Sequence, residues 1–125
     1  MLKKLDKVLT GDALKILCDM GHGDEIVIAD ANFPAARVAQ RLVRCPASTV
    51  AEIYAAIHEI FPLDADYNEH PACVMEVSDG DKAKGMGTPE VWGEFDAILK
   101  SDHPTTELGK IERFEFYERA KRHTP

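Results

Sequence analysis

Ile26-Val27-Ile28-Ala29 is a short apolar run held between two breakers. Met20-Gly21-His22-Gly23-Asp24-Glu25 precedes it, and Asp30-Ala31-Asn32-Phe33-Pro34 follows. The run is too short and too continuously apolar for an amphipathic surface helix. It predicts a strand buried on both faces, as in a parallel or mixed sheet. Such a strand carries the chain across a core and places two titratable groups, His22 and Asp30, in the loops at its ends. Small-molecule sites on α/β scaffolds are often built this way.

The flanking segments supply helices. Thr10-Gly11-Asp12 caps a first helix, with Asp12 in its first turn, Ala13, Leu14, Leu17 and Cys18 as its apolar face and Gly21 as its stop. Leu42-Val43-Arg44-Cys45 is a weaker strand candidate closed by Pro46. Thr49-x-x-Glu52 fits a capping box, and Val50, Ile53, Tyr54, Ile57, Ile60 and Phe61 form one face of a helix that Pro62 ends. Ala72 to Val77 reads as another buried strand, and Ser78 to Gly87 as a surface loop. Thr88-Pro89 opens a third helix with proline at its first position, and Val91, Trp92, Phe95, Ile98 and Leu99 are its buried stripe. After a second loop over Ser101 to Gly109, Ile111 starts a short extended segment. Phe114, Tyr117, Glu118 and Lys121 then space out a fourth helix. Alternating helices and buried strands predict a layered α/β domain.

Composition narrows the function. A chain of 125 residues, with 45% hydrophobic and 30% charged residues, is a single-domain globular protein with room for a core. The formal charge of -7 argues against a nucleic-acid or anionic-membrane surface. Arg119-Lys121-Arg122 is too small a basic cluster to reverse this and reads as a solvated helix face. Cys18, Cys45 and Cys73 are odd in number and contain no CxxC pair, which disfavours a zinc ribbon or a dithiol. Cys18 and Cys73 fall on apolar stretches where cysteine acts as a small hydrophobe. A reducing, cytoplasmic location follows. No stretch approaches membrane-spanning length.

The glycines beside His22 remove bulk from both sides of one imidazole. With an ordinary pKa near 6.5, a reachable imidazole is suited to general acid and base work. A histidine that only bonds a loop carbonyl fits the same residues, and the spacing leaves both readings open. Asp30 would orient a ligand hydroxyl or polarise the imidazole; taken alone, an Asx turn or a cap is its stronger reading. His22, Asp24 and Asp30 make a poor metal set, because zinc takes three or more ligands, mostly His or Cys. His58 and His70 are remote, His58 on the exposed side of its helix. Arg113, among Glu112, Glu115 and Glu118, reads locally as a salt-bridged surface arginine. No GxGxxG, glycine-lysine pair or GxSxG elbow is present. Neither a metal nor a cofactor is expected.

Two long strings, Met20 to Pro34 and Lys110-Ile111-Glu112-Arg113-Phe114-Glu115-Phe116-Tyr117-Glu118-Arg119-Ala120-Lys121, resemble the L-fucose mutarotase and D-ribose pyranase family. With the intervening Thr88-Pro89-x-Val91-Trp92, they are most similar to its fucose mutarotase branch. The resemblance covers essentially the whole chain. It implies a three-layer α/β/α domain with a mixed central sheet, and homo-oligomers from dimers to decamers with sugar pockets near subunit interfaces. It further implies that His22 is the catalytic proton donor and that Asp30 and Arg113 bind substrate. The activity so implied is cofactor-free interconversion of monosaccharide anomers, with L-fucose favoured over D-ribose. A sugar-binding or sensor protein without turnover, and a purely structural oligomerisation domain, are the competing readings. The family's pattern continues into a further strand and a Tyr-Gly-Asn motif, whereas this sequence stops at His123-Thr124-Pro125. The expectation is one mutarotase-like domain over residues 1–125 that lacks the C-terminal strand and tail.

Overall fold

Thr10 Oγ1 accepts a hydrogen bond from the amide of Ala13 at 3.1 Å, and this cap starts α1, Gly11–Asp19. The computed structural model describes residues 2–39, 41–45, 48–66, 69–77, 83–85, 87 and 89–122. Pro46, most of the Ser78 to Gly87 loop, Thr88 and His123 to Pro125, on which expectations fell, lie outside the described residues. The elements after α1 are α2 (Ala35–Val38), α3 (Val50–Ile60), β1 (Cys73–Met75), α4 (Val91–Lys100), β2 (Gly109–Ile111) and α5 (Arg113–Lys121). The fold is mixed α and β, with several helices and a small two-stranded sheet. The chain divides into two compact units, Met1–Pro62 with Ala120–Pro125, and Leu63–Arg119.

The first unit is helical. Val8, Leu9, Leu17, Ala56 and Ile57 form its buried core, and Leu14, Met20, Ile28, Cys45, Ile53 and Phe61 pack around them. Thr49 Oγ1 accepts from the Glu52 amide at 3.1 Å and so starts α3 as the capping box predicts. Ala56 is the most buried residue of this core, a position the apolar stripe missed because alanine carries little hydrophobic signal. Ile60 lies outside the core at the helix end, and Cys18 is exposed on α1, not buried on its apolar face.

The predicted strand over Ile26 to Ala29 is corrected: the segment has no regular secondary structure and pairs with no strand among the described residues. Ile28 reaches the core, while Ile26 and Val27 are each 39% exposed. A continuously apolar run signals burial only where neighbours cover both faces, and here one side chain anchors the segment. Leu42 to Cys45 likewise forms no strand; Cys45 packs on the core and Leu42 faces solvent.

In the second unit β1 and β2 pair in parallel, Cys73 opposite Gly109, Val74 opposite Lys110 and Met75 opposite Ile111. Parallel strands need a long crossover, and α4 lies within it. The two strands occupy the predicted extended segments, although β2 ends at Ile111 where the sequence suggested a start. Val74, Ile111 and Leu99 are buried, and Leu99 is wholly inaccessible. Pro89 stands before α4, its carbonyl accepting from the Trp92 amide at 3.1 Å, so proline is not the first helical residue. The Asp96 carboxylate bonds Lys100 at 3.2 Å, and Glu107 meets the same ammonium at 3.4 Å; these bonds raise the lysine's pKa. No helix among the described residues is long and apolar enough to cross a membrane.

Candidate functional site

Met20 leaves α1 with extended backbone angles, and the chain turns at once. The Asp24 amide donates to the Gly21 carbonyl at 3.2 Å, and Asp24 Oδ2 accepts from the Gly21 amide at 2.8 Å. His22 and Gly23 are the two central residues of this turn, and Gly23 has φ +85°. A positive φ at the third residue of a four-residue turn is strained for any residue with a Cβ, which is why glycine stands there. His22 is exposed at the turn's apex.

Asp30 is exposed at the far end of the apolar segment. Its Oδ1 accepts from the Asn32 amide at 3.0 Å, and its carbonyl accepts from the Phe33 amide at 3.3 Å. This is the Asx turn weighed for it. A carboxylate has two oxygens with several acceptor sites, so the turn and a ligand hydroxyl are compatible uses of one side chain. The turn fixes the carboxylate's orientation ahead of any ligand.

Arg113 belongs to the other unit, at the first residue of α5. Glu112 Oε2 accepts from the amides of Phe114 and Glu115, both at 3.0 Å, and so caps the helix start. A carboxylate also suits the positive end of the helix dipole. Beside the acidic neighbours that suggest an ion pair, Arg113 also has an aromatic setting. Its guanidinium carbon lies 5.7 Å from the ring centres of both Phe114 and Tyr117, and Nε donates to the Tyr117 hydroxyl at 3.4 Å. The sequence marks Tyr117 only as a helix-spacing residue, yet it sits one turn on from Arg113, where neighbours on a helix meet.

Asp24 is the other residue whose part was missed. The sequence weighed it only as a metal ligand, whereas its carboxylate is turned onto its own loop. Among the described residues, no group of three or more His, Cys, Asp or Glu is disposed to hold a metal ion. His58 is half-buried, not exposed, with its ring meeting Tyr54 edge-on at 5.4 Å.

A profile for the RbsD / FucU transport protein family matches residues 3–124. The chain belongs to this family. Its sequence is 44% identical over 124 residues to the fucose mutarotase of Homo sapiens, covering 97% of this chain and 79% of that one. Its fold is similar to the crystal structure of the fucose mutarotase from Streptococcus pneumoniae in complex with L-fucose, with TM-score 0.84 and 37% identity over 96% of this chain and 82% of that one. FucU from Bifidobacterium longum gives TM-score 0.85 and 38% identity, over 95% and 82%. These members place the chain in the fucose-mutarotase branch of the RbsD / FucU family.

Proposed function

We infer that this chain is an isomerase that interconverts the anomers of free L-fucose by opening and reclosing the sugar ring. The observation that carries the reading is the likeness, at 37% identity and TM-score 0.84, to a fucose mutarotase solved with L-fucose. In the reaction the ring oxygen gains a proton, the anomeric hydroxyl loses one, and the bond between the anomeric carbon and the ring oxygen breaks. Rotation about the bond to the carbonyl carbon and reclosure on its other face give the second anomer. The His22 side chain supplies the ring-oxygen proton and takes it back. Asp30 accepts hydrogen bonds from sugar hydroxyls and sets the sugar's register. The Arg113 fork donates to other sugar oxygens, and its Tyr117 bond limits how the guanidinium swings. The anomeric proton passes to a base, either water or a further group of the site.

The parallel β1–β2 pair is read as part of a three-layer α/β/α architecture with a mixed sheet, and the working state as a cytoplasmic homo-oligomer with pockets near subunit interfaces. Saturation-transfer NMR on L-fucose tests the activity. The protein is expected to accelerate exchange, and His22→Ala to remove about 10²- to 10⁴-fold of it while L-fucose still binds by calorimetry. Undiminished exchange in His22→Ala overturns the role of His22. Binding without exchange above buffer in the unsubstituted protein overturns the enzyme reading in favour of a sugar binder.

A further inference from the structure

We propose that Asp24 is a positioning residue for His22, holding the imidazole where it exchanges its proton with the sugar ring. The proposal rests on the reading of His22 as that proton donor. His22 stands between the two residues least able to hold it, because glycine loses more conformational freedom on ordering than any other residue. The clearance that makes the imidazole reachable therefore also makes its backbone loose. Two bonds oppose this. The Asp24 amide reaches the Gly21 carbonyl at 3.2 Å, and Asp24 Oδ2 reaches back to the Gly21 amide at 2.8 Å.

The second bond is the shorter one and has a charged acceptor, which makes it the stronger. Together they close a ring whose only other members are His22 and Gly23. A carboxylate reaching back three residues to a backbone amide is the device that locks helix starts. Here no helix begins at the turn, so the lock serves the turn alone. The half-buried carboxylate also lies over Gly21, 4.0 Å from where a Cβ would stand. Asp24 restores the order that the glycines remove, without adding bulk beside the imidazole.

The test compares unsubstituted protein, Asp24→Ala, Asp24→Asn and His22→Ala for L-fucose exchange by saturation-transfer NMR and for hydrogen exchange of the Gly21 amide. Misplacing a reacting group by about 1 Å costs up to about 100-fold, so Asp24→Ala is expected to lower kcat about 10- to 100-fold with KM within about threefold. The Gly21 amide should lose its protection in the same variant. Asn keeps an acceptor oxygen at the same reach, so Asp24→Asn should restore kcat to within about fivefold and most of the protection. The proposal is overturned if Asp24→Ala keeps its kcat, if Gly21 protection is unchanged, or if Asp24→Asn is as impaired as Asp24→Ala. Full exchange in His22→Ala instead defeats the proton-donor reading, while the Gly21 amide still reports whether Asp24 holds the turn.

Discussion

A Cβ on Gly109 would stand 2.7 Å from the Cβ of His70. Cys73 Sγ would lie 2.8 Å away on the same side, and the Gly109 amide already donates to the Ala72 carbonyl at 2.9 Å. The first clash is with an atom fixed to the backbone, so no side-chain rotation relieves it. His70 is itself held, its Nδ1 lying 3.2 Å from the Glu107 carbonyl, and the Cys73 thiol donates to the His70 carbonyl at 3.4 Å. Gly109→Ala must therefore push β2 away from the residues leading into β1. Overpacking of this kind costs about 1–3 kcal/mol, and urea unfolding followed by circular dichroism is the measurement. A variant as stable as the unsubstituted protein would mean that the parallel register yields more easily than this geometry allows.

Where local chemistry alone decides an element, the sequence was a good guide. Thr10 and Thr49 start their helices with the bonds their spacing predicts, because an N-cap needs only its own next three residues. The β1 and β2 segments were legible as apolar or extended stretches, but their parallel pairing is a non-local fact. Ile26 to Ala29 misled for the same reason: apolar continuity says what a segment prefers, not whether a neighbour covers it. The turn that presents His22 was visible in its two glycines. The parts played by Asp24 and Tyr117 were not, since a carboxylate folded back on its own loop and a phenol under a guanidinium leave no signature in composition or spacing.

The Thr49 cap offers a direct measure of local contribution. Thr49→Ala removes the acceptor of the Glu52 amide, which lies 3.1 Å from the hydroxyl oxygen. Loss of such a cap costs about 0.5–2 kcal/mol, whereas Thr49→Ser should cost only a few tenths of that range. Paired thermal melts of the two variants separate the hydroxyl's bond from the threonine methyl's packing.

Asp19 carries a pH signature. Its hydrogen bond from Lys15 at 2.6 Å, and then the ammonium's charge, hold its carboxyl below the usual aspartate value. A carboxyl depressed in the folded state stabilises above its unfolded pKa, and that contribution is lost as pH falls through the lower folded value. Lys15→Ala should move the Asp19 midpoint up toward about 3.9, the ordinary aspartate value, as read by carboxyl-carbon NMR. Both side chains are largely exposed, so high salt should shift the unsubstituted protein in the same direction. A midpoint insensitive to both changes would show that Lys15 is not the cause.

Arg113 gives the sharpest test of the proposed sugar contacts, because its setting favours a flat, forked cation. The guanidinium lies over both Phe114 and Tyr117 at 5.7 Å and donates to the Tyr117 hydroxyl. Lysine keeps the charge but loses the planar fork and its stacking. Arg113→Lys should therefore weaken L-fucose binding about tenfold or more, near 1.4 kcal/mol. Tyr117→Phe keeps the ring beneath the guanidinium and removes only the hydroxyl acceptor. The loss of one such bond is about 0.5–1.5 kcal/mol, so its effect on affinity should lie between about two- and tenfold. Arg113 is exposed, and stability should stay within about 0.5 kcal/mol in Arg113→Lys. Calorimetric titration with L-fucose, paired with a thermal melt, reads both quantities. If Arg113→Lys binds L-fucose as tightly as the unsubstituted protein, a point charge suffices there, and the aromatic setting of the guanidinium serves the helix alone.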